Sequence, residues 1–474
     1  MNAPILRIFA FLVVLFGLLL VWTTRWTVLD AQKLQNNPLN VRTLLDELKI
    51  KRGRILADDG TVLAKSVPGP GGTWRRTYPT GPLFAQAVGY STAAAGDSAG
   101  LERSRATELR GVQTGLSSVF GQLGGSPRVG DDVYTTLDPK AQRVAVAGLA
   151  GRVGSVVALD PRTGAVKVMY SNPTYNDNHP HATGAGLSSF NRATQADYPP
   201  GSTFKVVTDT GALGSRKFTP ASVVNGDSPK LISGVPLSND ANQSFGDIDL
   251  TTALTYSVNT VWAQVAEAVG RLTMTEYMRR FGFYSKPPLD YPSDEIAVSR
   301  PVSPSGKPYP PASPREDLGR IGIGQGGLSV TPLQMAMVAA AIANGGKLIA
   351  PHFAGRVVDP TGVTVEKISP TLWQQVTTPK IAAQVTELMR RVVEEGTGTP
   401  AQLGGISVAG KTGTASVGLP GLGLTQPWFI GFAPIPQPKV AVAVTVERTN
   451  GGFGGTVAAP IAKAVIQTLL SEGQ

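Results

Sequence analysis

Ser202 and Lys205 lie three residues apart in YPPGSTFKVV, residues 198–207 of a 474-residue chain with three histidines and no cysteine. On a helix this spacing puts both side chains on one face, with Cβ atoms about 5–6 Å apart. A bent lysine can then hydrogen-bond the hydroxyl and take its proton. Pro199, Pro200 and Gly201 make a stiff approach followed by a flexible position. Ser202 would therefore open a helix whose first N–H groups are unpaired and can stabilise an oxyanion. Thiol nucleophiles, disulfides and thiolate metal sites are excluded. His179 and His181 flank a proline in a polar loop and His352 follows Pro351, a poor basis for a serine–histidine pair. A nucleophilic serine here would take lysine as its base, provided burial and a nearby cation lower the amine's pKa. Ser-x-x-Lys occurs about once by chance in a chain of this length, so plain helix packing competes with this reading.

Two other segments carry matching groups. In VAGKTGTA, residues 408–415, an extended backbone directs Lys411 and Gly413 to one face and Thr412 and Thr414 to the other. Gly410 and Gly413 permit close approach of a ligand or another strand. In TYSVNT, residues 255–260, Ser257 and Asn259 do not share a helix face, but a short loop between helices could turn both inward. Ser257 could pass a proton from Lys205 to a leaving amine, and Asn259 could fix Lys205 and a substrate amide. A solvent-edge strand and a polar helix cap are the bland readings of these two segments. Ser-x-x-Lys, Ser-x-Asn and Lys-Thr-Gly in this order form a known acyl-transfer set, with Val258 where an aspartate often stands.

The elements that must position these groups follow from pattern. The length calls for more than one domain. Gly (55) and Pro (37) are plentiful, which suits many turns. Residues 8–24 are uncharged, with Trp22 and Trp26 near the far end; a retained membrane anchor extended past a snorkelling Arg7 is expected, with a cleaved signal peptide as the competing reading. A short amphipathic helix is expected around Leu44, Leu45 and Leu48, and a strand–turn–strand over residues 54–64. Further strands are expected at 156–159, 165–170, 428–434 and 439–447, with helices beginning at Pro139, Thr331-Pro332 and Pro460. Strands from both ends of the segment after residue 151, enclosing a helical middle, define an α+β arrangement. Residues 299–314 are Pro/Ser-rich, either a loose surface loop or a border of the cleft. The net charge of +10 comes without long basic blocks or aromatic–basic interleaving, so nucleic acid is not an expected partner.

The chain resembles the class B penicillin-binding proteins, and among them an actinobacterial group. Beyond the three motifs, the resemblance rests on RGRILADDGTVLA (52–64), GLERSRATELRG (100–111), TLDPKAQ (136–142), NRATQADYPPGSTFK (191–205), GQGGLSVTPLQMA (324–336), VVEEGTGT (392–399) and WFIGFAP (428–434). Asp59 stands where the family usually has arginine. The resemblance implies an anchor and short tail over residues 1–26, a mixed α/β pedestal over 27–150 and a transpeptidase domain over 151–474. That last domain would hold a five-stranded antiparallel sheet flanked by helices plus a helical subdomain. By likeness, Ser202 is acylated by a peptidoglycan stem peptide ending in D-Ala-D-Ala, Lys205 is the base and Ser257 relays the proton. Asn259, Lys411, Thr412, Gly413 and Thr414 bind substrate, and the backbone N–H groups of Ser202 and Thr414 form the oxyanion hole. β-Lactams would acylate the same serine. No metal or organic cofactor is implied. The catalytic part would face outward from the cell membrane, among cell-wall synthesis or division proteins. A D,D-carboxypeptidase of the same fold, and a membrane-bound β-lactam sensor or division-complex scaffold, are the alternatives; a class D β-lactamase would be a much shorter chain.

Overall fold

The computed structural model describes residues 2–30, 45, 47–92, 97–111, 129–418 and 423–471. Asn2–Thr24 is one α-helix that continues as a wider turn over Arg25–Leu29. Its apolar side chains are exposed, and the 27 residues Ala3–Leu29 are long and apolar enough to cross a membrane. Leu44, expected in the short amphipathic helix, lies outside the described residues.

A first sheet is built in the order Thr364–Lys367, Ala354–Val358, Asp132–Thr135, Ile55–Leu56, Val62–Pro68, Trp74–Thr77. Ile55–Leu56 runs parallel to Asp132–Thr135, and the other pairings are antiparallel. The turn at residues 58–60 forms where Asp59 accepts a hydrogen bond from the Thr61 amide, 2.8 Å. Two exchanges cross the division drawn at residue 150. The hairpin 354–367 leaves the second half of the chain to complete this sheet. Helix Pro139–Leu149, capped by Asp138 on the amides of Lys140 and Ala141, packs in the opposite direction, onto the second sheet and the C-terminal helix.

Charge both ties the first half together and pins it to the second. Glu102 is buried between Arg52 (2.7 Å) and Arg76 (2.5 Å). Burial pushes its carboxyl up, but Arg76 and Arg52 more than offset this and hold it below the usual range. From the same segment Arg103 reaches Asp294 and Glu295, and Arg105 reaches Asp290. Asp290 in turn accepts from the amides of Phe353 and Ala354 at the start of the exchanged hairpin.

The second sheet holds the expected five antiparallel strands in the order Ala409–Ser416, Leu424–Ala433, Val440–Val446, Gly154–Leu159, Val166–Asn172. Thr449–Asn450 adds a short pairing at the end of the second strand. The Val/Ala run of Val440–Val446 is wholly buried because both faces are covered. Helix Pro332–Ala343 packs on one face, while Pro139–Leu149 and Ala459–Ser471 pack on the other.

A helical subdomain sits beside the edge strand 409–416. Its centre is helix Lys205–Gly214, enclosed by Asn259–Val269, Arg271–Arg280 and Pro379–Glu394. Asp209 in that helix is buried, and neither carboxylate oxygen has a hydrogen-bond partner among the described residues. Burial pushes this carboxyl up to about 8. The unfolded chain ionises near pH 4, so stability is full below that pH and falls as pH rises towards 8. The Asp209→Asn variant should lose this slope. Thermal unfolding followed from pH 4 to 9 should show a melting temperature close to the parent's at pH 4 and several degrees higher at pH 9; parallel profiles would contradict the assignment.

Candidate active site

Gly201 has φ +54°, in the region that favours glycine, and redirects the chain after Pro200. The next turn, Gly201–Phe204, is a 3₁₀ turn rather than the expected α-helix, and the α-helix starts only at Lys205. At three residues per turn, side chains at i and i+3 eclipse, so Ser202 and Lys205 line up more directly than an α-helix would allow. The approach is held from several sides. The Tyr198 backbone pairs with Val330 in both directions (3.0 and 2.9 Å), Trp428 Nε1 donates to Pro199 O at 3.0 Å, and the Gly201 amide donates to Gly324 O at 3.0 Å. The Tyr198 hydroxyl bonds Glu447, which also accepts from Arg192 Nε at 2.8 Å.

Lys205 is completely buried. Its Nζ donates to Asn259 Oδ1 and to the Ser257 carbonyl, both at 2.7 Å, and lies 3.3 Å from Ser257 Oγ. The expected hydrogen bond to Ser202 is not formed; the amine leans to the 257–259 turn instead. That turn breaks the helical pattern into Leu250–Thr255 and Asn259–Val269, with Ser257 at φ +59°, a costly conformation for a non-glycine residue. The strain brings both the hydroxyl and the carbonyl of Ser257 onto one amine. Burial, and secondly the charge of Lys411, push the Lys205 pKa well below the usual lysine range. A neutral amine has two N–H bonds and one lone pair. The two short contacts are to acceptors that consume the N–H bonds, which leaves the lone pair to accept a proton.

Lys411 is also fully buried, and burial pushes its pKa down to about 7. Its Nζ donates to the Thr412 carbonyl at 3.1 Å. The strand alternates as expected. A side chain at Gly413 would lie 2.8 Å from Pro200 O and 3.1 Å from the Thr203 amide, so this face abuts the Ser202 turn. Thr412 and Thr414 point the other way: Thr412 Oγ1 meets Thr397 Oγ1 at 2.5 Å, and Thr414 Oγ1 accepts from the Gly454 amide at 3.1 Å. A side chain at Gly201 would lie 3.2 Å from the Thr414 carbonyl group, so the amides of Ser202 and Thr414 belong to segments in contact.

The structure thus brings Lys205 onto Ser257 and Asn259 and packs the Ser202 turn against the strand at Gly413 and Thr414, while the side chains of Thr412 and Thr414 lie on the other face of that strand. Thr397, Trp428, Glu447 and Gly324 were not singled out in the sequence. Three of them lie in the motifs VVEEGTGT, WFIGFAP and GQGGLSV, so the signal was present without a role; Glu447 carried none. Among the described residues no group of acidic or histidine side chains could hold a metal ion.

A serine, a neutralised lysine, a Ser-x-Asn turn and a Lys-Thr-Gly edge strand on this sheet are the marks of a penicillin-binding acyl transferase. The penicillin binding protein transpeptidase domain model matches residues 154–467, and the penicillin binding protein A dimerisation domain model matches residues 52–133. The chain belongs to the penicillin-binding protein transpeptidase family. It is 34% identical, over all of both chains, to the peptidoglycan D,D-transpeptidase PbpA of Mycolicibacterium smegmatis, and 33% identical over 99% of each to that of Mycobacterium tuberculosis. Penicillin-binding protein A from M. tuberculosis, solved as its penicillin G acyl-enzyme complex, is similar with a TM-score of 0.77 and 31% identity, covering 89% of this chain and 100% of that one. A D,D-transpeptidase domain from Eggerthella lenta also gives 0.77 and 31%, over 90% and 99%.

Gly413 should tolerate no side chain. The Gly413→Ala variant should fold but separate the edge strand from the Ser202 turn, slowing penicillin acylation at least about tenfold in stopped-flow measurements; an unchanged rate would contradict the close packing.

Proposed function

We propose that this chain cross-links peptidoglycan stem peptides as a D,D-transpeptidase, with Ser202 as nucleophile and neutral Lys205 as base. The observation that carries the roles is the Lys205 amine, buried and saturated with acceptors on its N–H bonds, one turn from the serine. As Ser202 Oγ attacks the penultimate D-alanine carbonyl, its proton passes to the Lys205 lone pair. The amides of Ser202 and Thr414 hold the oxyanion. Ser257 Oγ, 3.3 Å from Lys205 Nζ, hands the proton to the departing D-alanine amine, and an acyl ester remains on Ser202. An acceptor amine entering where D-alanine left gives its proton back along the same path and takes the acyl group. Lys411, with Thr412 and Thr414 on the same edge strand beside Gly413, receives the terminal carboxylate, and Asn259 both fixes Lys205 and orients the peptide. A β-lactam enters the first half of this cycle in place of the peptide. The apolar helix Ala3–Leu29 anchors the chain in the membrane with the catalytic part outside, where peptidoglycan lies.

Labelled penicillin should attach covalently to the full-length protein, and Ser202→Ala should abolish the label; a mutant that labels normally would point to another nucleophile. Lys205→Ala should fold yet acylate at least about a hundredfold more slowly, and an undiminished rate would remove lysine from the base role.

The two lysines also set a pH window. Burial and the charge of Lys411 hold the Lys205 pKa well below the usual lysine range, so Lys205 is the amine that is neutral while Lys411 carries its proton. Acylation needs neutral Lys205 and charged Lys411. The second-order rate of acylation should therefore fall on the alkaline side of about pH 7, and Lys411→Arg should remove that limb because arginine stays charged. A wild-type profile flat from pH 6 to 9 would contradict it.

A further inference from the structure

Past the end of the edge strand away from Lys411, where it runs out through Ala415 and Ser416, lies a cavity of about 590 Å³. Pro199 forms one wall, and Val302 and Gly306 of the Pro/Ser-rich segment form another, so that segment borders this cavity. Among the described residues, Asp197 is the only charged residue lining it. Its carboxylate is exposed and makes no ion pair or hydrogen bond among the described residues. The same wall holds Ser329, whose hydroxyl is buried and likewise unpartnered. A lone, unpaired carboxylate beside a cleft with two buried lysines, in a chain of net charge +10, is matched to a cation.

Position says which part of the substrate arrives there. This step rests on the reading of the site given above. The leaving residue's carboxylate is held towards Lys411 and the scissile carbonyl sits at the Ser202 and Thr414 amides. The acyl portion therefore extends towards Ala415 and Ser416, into this cavity. The acceptor enters on the vacated leaving-group side, so it is the donor that occupies the cavity. We infer that Asp197 binds the side-chain ammonium of the donor residue preceding D-Ala-D-Ala, and so selects donor peptides whose side-chain amine is free. A donor already acylated on that amine lacks the charge and is disfavoured, which separates the two partners of the cross-link by their chemistry. The preference expected of a partly screened ion pair is about fivefold.

The test compares Nα-acetyl-L-lysyl-D-alanyl-D-alanine with its Nα,Nε-diacetyl counterpart, reading D-alanine release by the full-length protein in detergent. The wild type should favour the free amine about fivefold in kcat/KM, with the difference carried in KM. Asp197→Asn should bring the ratio close to one, and Asp197→Glu should restore most of it. Penicillin labelling of each variant reports whether the Ser202 site is assembled, so loss of label would count against the acyl-enzyme reading rather than against Asp197. With labelling intact, no preference in the wild type, or a preference that survives Asp197→Asn, overturns the proposal.

Discussion

Two fully buried lysines repel each other here, and the chemistry depends on their being unable to hold two protons at once. Charging both would place like charges together without water, so one amine gives up its proton. The one that does is hemmed in by acceptors from Ser257 and Asn259, which orient its lone pair without competing for it. The other keeps enough positive character to meet a carboxylate. A histidine would need no such arrangement, because it is half neutral near pH 7 already. Lysine needs burial and a second cation, and both come from packing a helical subdomain against the exposed edge of a sheet.

That packing explains why so many small or constrained residues cluster here. Gly201, Gly324 and Gly413 leave room for backbone to meet backbone. Tyr198, Trp428, Glu447 and Arg192 brace the double proline from outside, so the turn carrying Ser202 is held by contacts that do not touch a substrate. Ser257 carries the opposite burden: a strained backbone, kept because the helices on either side over-determine it.

Much of this could be read from the chain alone. The alternation of KTGT, the hydrophobic runs 439–447 and 332–343 and the helix beginning at Pro139 are local patterns, and local patterns survive into the fold. The 3₁₀ turn at Ser202 escaped, because an i, i+3 pair is compatible with both helix types until Gly201 and its neighbours choose. Thr397 meeting Thr412, and Glu447 meeting Tyr198, escaped for a different reason: each joins segments far apart in sequence, and nothing local marks the partner. The lean of Lys205 towards the Ser257 turn belongs to the same class.

The hairpin 354–367 places Asp132–Thr135 in the interior of the first sheet, flanked by a strand from the beginning of the chain and one from well past its middle. A nascent polypeptide leaving the ribosome cannot close that sheet until some 360 residues have emerged, by which time the Ser202 region has already been made. The N-terminal unit is thus not a tether finished early and carried along. It matures late, together with the enzyme it supports, and a chain cut before the hairpin 354–367 would leave the first sheet incomplete as well as the second.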